Sequence, residues 1–460
     1  MQNLEVCVGI DLACRAMHKA SIAPNPFTGI QTPKRTFHFP HTLEGFFSLQ
    51  DYILKVTKKD SLNGVGINME PTSNVWRDVS TFFLPQGATV FYARTDVVSA
   101  LRKAKSRFAK TDRLDAATLA GMPWSFPERM IPFVPVEKRI LRLREHSKQH
   151  IRIVDDVTRW KNRFLKVIEQ TWRPLLLSID KEEVFSKSMR AFWLRFPHPY
   201  RVIRLGPRRF HTWCEKHFHG RLAKQLEEKI LESSKKANEF WEMLGKGEGE
   251  RDTLTFLASQ NLNMISSLEN QLKTVKDQIS KAREDVPECD VLEEMPGVGK
   301  VVCVTLGSEL MPVSRFSDTR KCGAYTGFVS RVKSSGERDI KGLRITKSGN
   351  YRLKRDLALA ADIAMRKDPQ LAAFAVRLLS AGKHYNKVRV AVGRKIAVRA
   401  YSLLKRIEMG EKNVHFEYRN LEGRPISKKE AEELAKTIWL VYDGAKQKKR
   451  KSAGSKTVAA

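Results

Sequence analysis

Two aspartates three residues apart, Asp112 and Asp115, stand in the run Lys110-Thr111-Asp112-Arg113-Leu114-Asp115-Ala116. At 3.6 residues per turn they share one face of a helix expected over residues 111–120. Like charges that close repel unless a cation lies between them. Asp11 and Glu70 each end an apolar, strand-like run and are placed to join the pair. Four carboxylates converging from three elements would form an oxygen-ligand site suited to Mg²⁺. The surrounding chain is strongly basic: 83 Lys and Arg against 51 Asp and Glu give a net charge of +32 over 460 residues. Such an excess points to nucleic acid, less often to an anionic membrane surface. Acids clustered inside a basic chain suggest phosphodiester chemistry.

The elements that must hold those acids read as an α/β layer. Residues 5–12, 18–22, 34–39, 64–69 and 89–92 have strand patterns, and 42–55 and 74–83 have helical ones. In an α/β sheet, sites form at the carboxyl ends of strands, where Asp11 and Glu70 fall. The stretch from 93 to 110 carries six basic residues beside the acids, expected to contact phosphates. Residues 137–179 and 254–283 are long helical runs, expected to pair as an antiparallel coiled coil or helical hairpin. Between them, aromatic and basic residues cluster with His198, His211, His217 and His219. Their spacing fits no zinc pattern, so they are expected at the surface or against nucleic acid.

Residues 291–310 read as helix, Pro-Gly-Val-Gly turn, helix. There Gly297 and Gly299 would let backbone N–H groups approach a phosphate, with Lys300 beside them. This pattern is that of a helix-hairpin-helix contact, or of a plain tight turn. Ser334 and Ser335 lie in a Gly- and Lys-rich loop with Lys333, Arg338, Lys341, Arg344 and Lys347, closing at Asn350. By composition it is a flexible phosphate-binding loop. Residues 351–407 are expected to be helical and basic, and the tail 446–460 cationic and disordered. The six cysteines form no CxxC pair, which argues against zinc and for reduced thiols. No apolar run approaches the ~20 residues of a membrane span, and no leader pattern is evident, so a cytoplasmic location is expected.

Taken in order, GIDLA, the Met69-Glu70-Pro71-Thr72 segment, AKTDRLDAATLA, MPGVGK, AYTGFV…SSG and ITKSGN resemble the IS-one-ten insertion-sequence transposases, or bridge recombinases. The resemblance spans roughly residues 6–120 and 290–360. It implies a RuvC-like (RNase H-like) DEDD domain over 1–125 with a mixed sheet and flanking helices. A coiled-coil helical domain with its basic-aromatic insertion would follow over 126–285. A mainly helical serine transposase domain would occupy 286–410, and a C-terminal helix and tail 411–460.

The resemblance further assigns the DEDD acids to Asp11, Glu70, Asp112 and Asp115 with Mg²⁺, and the nucleophile to Ser335, or to Ser334 if the register slips by one. It implies nucleic-acid contacts from Lys110, Arg113, Gly297, Gly299, Lys300, Lys333, Arg344, Lys347 and Asn350. It also implies a bridge RNA pairing with donor and target DNA, and a homotetramer, a dimer of dimers, whose sites combine different protomers. A RuvC-like endonuclease acting through metal-activated water would need the same acids but form no covalent adduct. A non-enzymatic scaffold would use the acids only to pair with Lys and Arg.

Overall fold

The computed structural model describes the chain except residues 1–3, 32–34, 72–73, 106–110, 181, 219–222, 330–333, 336–337, 340–344, 347 and 458–460. It divides into two compact units, 1–136 and 137–460.

The first unit is a mixed sheet with flanking helices. Its strands are β1 (Val6–Asp11), β2 (His18–Pro24) and β3 (Phe37–Phe39), followed after α1 (Leu43–Thr57) by β4 (Val65–Met69). After α2 (Val75–Phe83) come β5 (Thr89–Tyr92), α3 (Thr95–Lys105), α4 (Asp112–Ser125) and β6 (Ile131–Pro132). The spatial order is β3-β2-β1-β4-β5-β6. β4 lies parallel to β1 and to β5, while β2 and β6 run antiparallel to their neighbours. The central strands β1 and β4 are buried along almost their whole length. Covered on both faces, they read as continuous apolar runs rather than alternating ones. α1 starts where Thr42 caps it, its side chain accepting from the Gly45 N–H at 3.1 Å, and it buries Phe46, Leu49 and Ile53 against the sheet. The two-residue β6 was not expected. Pro132 within so short a run gives almost no strand signal, and an edge position lets proline stay there.

The second unit is helical. α5 (Lys138–Ser178) bends at Trp172, whose backbone leaves the helical region two residues before Pro174. α6 (Lys187–Arg195), α7 (Pro199–Leu205), α8 (Pro207–His217) and α9 (Ala223–Met243) follow, and α10 (Glu248–Glu284) returns along α5. Arg139 and Arg142 near the start of α5 meet Asp285 just past the end of α10. Ile153 and Val157 pack on Leu268 midway. The two long helices are therefore an antiparallel pair.

In the segment between them, the histidines expected at the surface or against nucleic acid divide, around a buried aromatic core. Phe192, Trp193, Phe196 and Phe210 are buried with Trp172 and Phe164 in one core. His198 is also fully buried and caps α7 by accepting from the Tyr200 N–H at 3.2 Å. A short helical subdomain without a sheet must fill its core with large side chains, and aromatics supply the most area per residue. His211 does lie at the surface, paired with Glu227, and His217 stacks on Trp213 with ring centroids 4.2 Å apart; His219 lies outside the described residues.

Beyond α10 come α11 (Glu288–Glu293), α12 (Lys300–Leu310) and α13 (Thr319–Tyr325). Ser334 and Ser335 form a two-residue strand, β7, paired antiparallel with β8 (Arg338–Asp339), so this stretch is a hairpin rather than a plain loop. The region expected to be helical from 351 to 407 is three helices, α14 (Tyr351–Lys367), α15 (Pro369–Ser380) and α16 (Tyr385–Glu408). The breaks fall where Asp368 caps α15 ahead of Pro369 and where Gly382 takes a positive φ. The tail is a correction of another kind. α17 (Lys428–Thr457) carries the backbone as helix through most of the stretch expected to be disordered. Lys, Arg, Gln and Ala are good helix formers, and extending a nucleated helix costs far less than starting one.

Candidate active site

The parallel register of β1 and β4 pairs Ile10 with Met69, so Asp11 and Glu70 leave the ends of adjacent strands side by side. α4 brings the other two acids. Thr111 caps it by accepting from the Leu114 N–H at 3.3 Å, which puts Asp112 and Asp115 in the first turn. Negative side chains are favoured there by the exposed N–H groups and the helix dipole. The helix can approach β1 only because residue 9 is glycine. A Cβ at Gly9 would lie 2.2 Å from both the Ala116 carbonyl oxygen and the Ala120 nitrogen. The buried Asn68 amide fixes the same helix from β4, donating to the Leu119 carbonyl at 2.8 Å.

Burial, then the charges of Asp112, Asp115 and Glu70 in that order, raise the Asp11 carboxyl to about 6, with Lys19 partly offsetting them. All four acids are thus close enough to act on one proton. Two cations that sequence reasoning missed in this role neutralise half the cluster. Lys19 Nζ lies 2.6 Å from Asp112, and Arg102 lies 3.1 Å from Asp115. The strand register puts Lys19 directly across from Asp11. Arg102 sits in the basic stretch expected to contact phosphates, and here it is spent on Asp115. Among the described residues Asp11 and Glu70 form no ion pair. A chain from His18 also steadies the turn after Asp11. The Ala13 N–H donates to His18 Nδ1 at 3.0 Å, and His18 Nε2 meets His41 Nδ1 at 2.9 Å. His41 Nε2 in turn reaches Asp78 at 3.1 Å. Burial, then the nearby His41, lowers His18 to about 4.

Among the described residues, no three metal-binding side chains stand close enough together to grip an ion in this arrangement. The donor set fits one nonetheless: four acceptor-only carboxylates, two of them in no ion pair among the described residues, one driven toward protonation by the others. A divalent cation would relieve that repulsion, with the Lys19 and Arg102 side chains swinging toward other anions.

The Ser335 hairpin springs from a clamped base in the second unit. Asn350 N–H donates to the Tyr325 carbonyl at 3.1 Å and Thr346 N–H to Val329 at 2.9 Å. Gly327 and Gly349, both at positive φ, touch: a Cβ on Gly349 would come within 2.4 Å of the Gly327 Cα. Beneath them Glu309, only 3 % exposed, accepts from the Asn350 amide and the Tyr325 hydroxyl and pairs with Arg352. Arg144 stands 3.8 Å away, and Arg315 stacks on the Tyr325 ring at 4.5 Å. Neither Glu309 nor this network was singled out from sequence, because a lone Glu in an apolar helix carries no spacing signal.

Other expected contacts fare unevenly. Arg113 is exposed on α4, and Gly299 and the exposed Lys300 open the N-terminus of α12 with nothing within 4 Å of the glycine. Gly297 is required by packing instead, since its Cβ would meet the Ala360 carbonyl on α14 at 2.3 Å. The Asn350 side chain caps α14 and holds Glu309, so both its ends are occupied. Lys110, Lys333, Arg344 and Lys347 lie outside the described residues.

Residues 8–173 match a family model described as a transposase, of the DEDD type of IS110 elements, and residues 289–375 match one described as "Transposase IS116/IS110/IS902 family". The first match contains all four acids and the second contains Ser334 and Ser335. The chain belongs to the IS110 family of transposases. It is 23% identical over 290 residues to the "insertion element IS110 uncharacterized 43.6 kDa protein" of Streptomyces coelicolor, covering 62% of this chain and 68% of that one. It is 29% identical over 149 residues to the "transposase for insertion sequence element IS1111A" of Coxiella burnetii, covering 31% and 38%. An IS110-family transposase is a DNA-processing enzyme, and its DEDD domain is of the kind associated with divalent metal. Among the described residues, no helix is long and apolar enough to cross a membrane.

Proposed function

We propose that this IS110-family transposase is an RNA-guided DNA recombinase that joins donor and target DNA through a serine nucleophile. A bridge RNA would pair with both DNAs and leave the protein to recognise backbone shape and charge. The working assembly would be a homotetramer acting on bacterial DNA in the cytoplasm. Residues 1–125 would serve as the RuvC-like domain, 126–285 as the coiled-coil domain, and 286–410 as the serine domain. The observation that supports this reading is the placement of Asp11 and Glu70 at adjacent parallel strand ends, with Asp112 and Asp115 in the first turn of α4, in a domain matched to transposases.

Asp11, Glu70, Asp112 and Asp115 would hold Mg²⁺, which when bound supplies a Lewis acid for the scissile phosphate and the charge on the leaving oxygen. Lys19 and Arg102, released from Asp112 and Asp115, would bind phosphate oxygens flanking the cut. The Ser335 Oγ would attack phosphorus and lose its proton, forming the Oγ–P bond as the P–O3′ bond breaks and the 3′-oxygen takes up a proton. The 5′-phosphoserine link keeps the bond energy for religation to a new 3′-hydroxyl without ATP. The clamped base of the hairpin would keep Ser335 on a short tether.

The test is a denaturant-resistant protein–DNA adduct, formed with the element's flanking noncoding RNA, Mg²⁺ and labelled DNAs. Loss of the adduct in Ser335→Ala alone supports the reading; loss in Ser334→Ala alone moves the nucleophile by one. Strand cleavage without an adduct in either variant makes the protein a metal-dependent nuclease instead.

A further inference from the structure

We propose that the cleft between the end of α14, the start of α16 and α17 binds an unpaired nucleotide of a single-stranded nucleic acid. The cleft has a volume of about 590 Å³, within the range that holds a small ligand of nucleotide size. Tyr385 from α16 and Trp439 from α17 line it, with Arg366 and Lys367 from α14 and Lys436 from α17. Tyr385 is 39% exposed, so part of its ring is open to a ligand. Trp439 is held in place: its indole N–H donates to the Met365 carbonyl at 2.6 Å. A second opening adjoins the first, shares Arg366, Lys367 and Tyr385, and extends to Ile363.

The charges favour a polyanion. Of the two acids lining the cleft, Glu432 pairs with Lys367 at 3.2 Å and Asp443 stands against the cations Arg366, Lys367 and Lys436, while Asp362 of the adjoining opening is held by Arg389 at 2.8 Å and the Tyr385 hydroxyl at 3.0 Å. Arg366 and Lys436 form no ion pair among the described residues and are exposed. The helix that supplies Trp439 then runs into Lys446-Gln447-Lys448-Lys449-Arg450-Lys451, where five of six residues are basic. That run begins about 10 Å further along the same helix at 1.5 Å per residue. Aromatic rings beside cations without an ion pair are what a strand with splayed bases requires. A duplex keeps its bases stacked and would have nothing to offer Tyr385. The family models end at residue 375, so Tyr385 and all of α17 lie outside them.

This assignment rests on reading the chain as a nucleic-acid enzyme but not on its serine or metal chemistry. The test is therefore binding alone, with the full-length protein in chelator. Fluorescence anisotropy would compare labelled oligouridylate, oligodeoxythymidylate and a duplex of equal length. Tyr385→Ala, and separately Arg366→Glu with Lys436→Glu, should weaken single-strand binding about tenfold or more and leave duplex binding unchanged. Tyr385→Phe, which keeps the ring, should bind as the parent does. The tighter of the two single strands tells whether RNA or DNA is the occupant. Unchanged single-strand affinity in all variants with unchanged melting overturns the proposal, and so does an equal loss for duplex. A changed sedimentation coefficient without a binding change would make the cleft a contact between copies, and overturn it as well.

Discussion

The carboxylate site and the serine hairpin are built on opposite plans. The acids are carried on regular elements: two adjacent strand ends and one helix start, brought together by sheet register and by a glycine that admits α4. The hairpin is carried on a base held by two touching glycines and by a buried Glu309 that gathers Asn350, Tyr325 and Arg352. The first plan concentrates like charge and is intrinsically strained by it. The second places opposite charges together under an otherwise irregular segment, and its integrity depends on every partner being present.

The largest effect that should separate the two is chemical. Asp11→Asn or Asp115→Asn should lower strand exchange by roughly a thousandfold or more, the equivalent of several kcal/mol of lost transition-state stabilisation, with RNA binding retained. Full activity in either variant would remove the acids from the chemistry. Glu309→Gln should cost the second unit about 3 kcal/mol or more, because a buried cationic group is left without its counter-charge; a denaturant melt that leaves this unit unmoved would show the clamp to be ornamental. Gly9→Ala should destabilise the first unit by about 1–3 kcal/mol through overpacking of α4, and proteolysis of residues 1–136 should quicken in step.

Smaller effects follow from protonation. Asp11 in the fold titrates near 6, above its ordinary 3.8. The folded unit therefore binds more protons than the unfolded chain between those values, and stability contributed by this group falls as pH rises through 6. Asp11→Asn should accordingly stabilise the first unit at neutral pH, by at most about 2 kcal/mol given its partial exposure, and Mg²⁺ should raise the melting temperature of the parent more than that of the variant. His198 in the second unit behaves oppositely. Burial, then Arg251 and Arg201, lower it from 6.5 to about 4. The unfolded chain binds the extra proton in that window, so stability is lost as pH falls from 6.5 toward 4. Acid should thus weaken the second unit while the gain at Asp11 offsets the loss at His18 in the first. Equal acid sensitivity of the two units would contradict this difference.

The sheet strands and the acids at their ends were legible because burial on both faces writes a continuous apolar run and a charge marks where it stops. The spacing of Asp112 and Asp115 was legible because helical geometry is local. His198 was misplaced because a histidine among aromatic and basic residues looks the same in sequence whether its neighbours face solvent, as Tyr385 does, or a core, as Phe192 does. The tail was misread because composition reports the absence of a core but not the helix already running into it.

By itself the sequence determined the four carboxylates, their strand-end and helix-start positions, and the cationic background against which they stand. Those depend on residue type and on periodicities of two and 3.6, which neighbouring residues fix. Only the tertiary structure decided that Lys19 and Arg102 hold two of the acids, that Gly297 serves packing, and that Asn350 is taken up by a helix cap and a buried glutamate. Each of those follows from which distant segment lies opposite, up to 93 residues away for Lys19 and Asp112, and no local spacing encodes it.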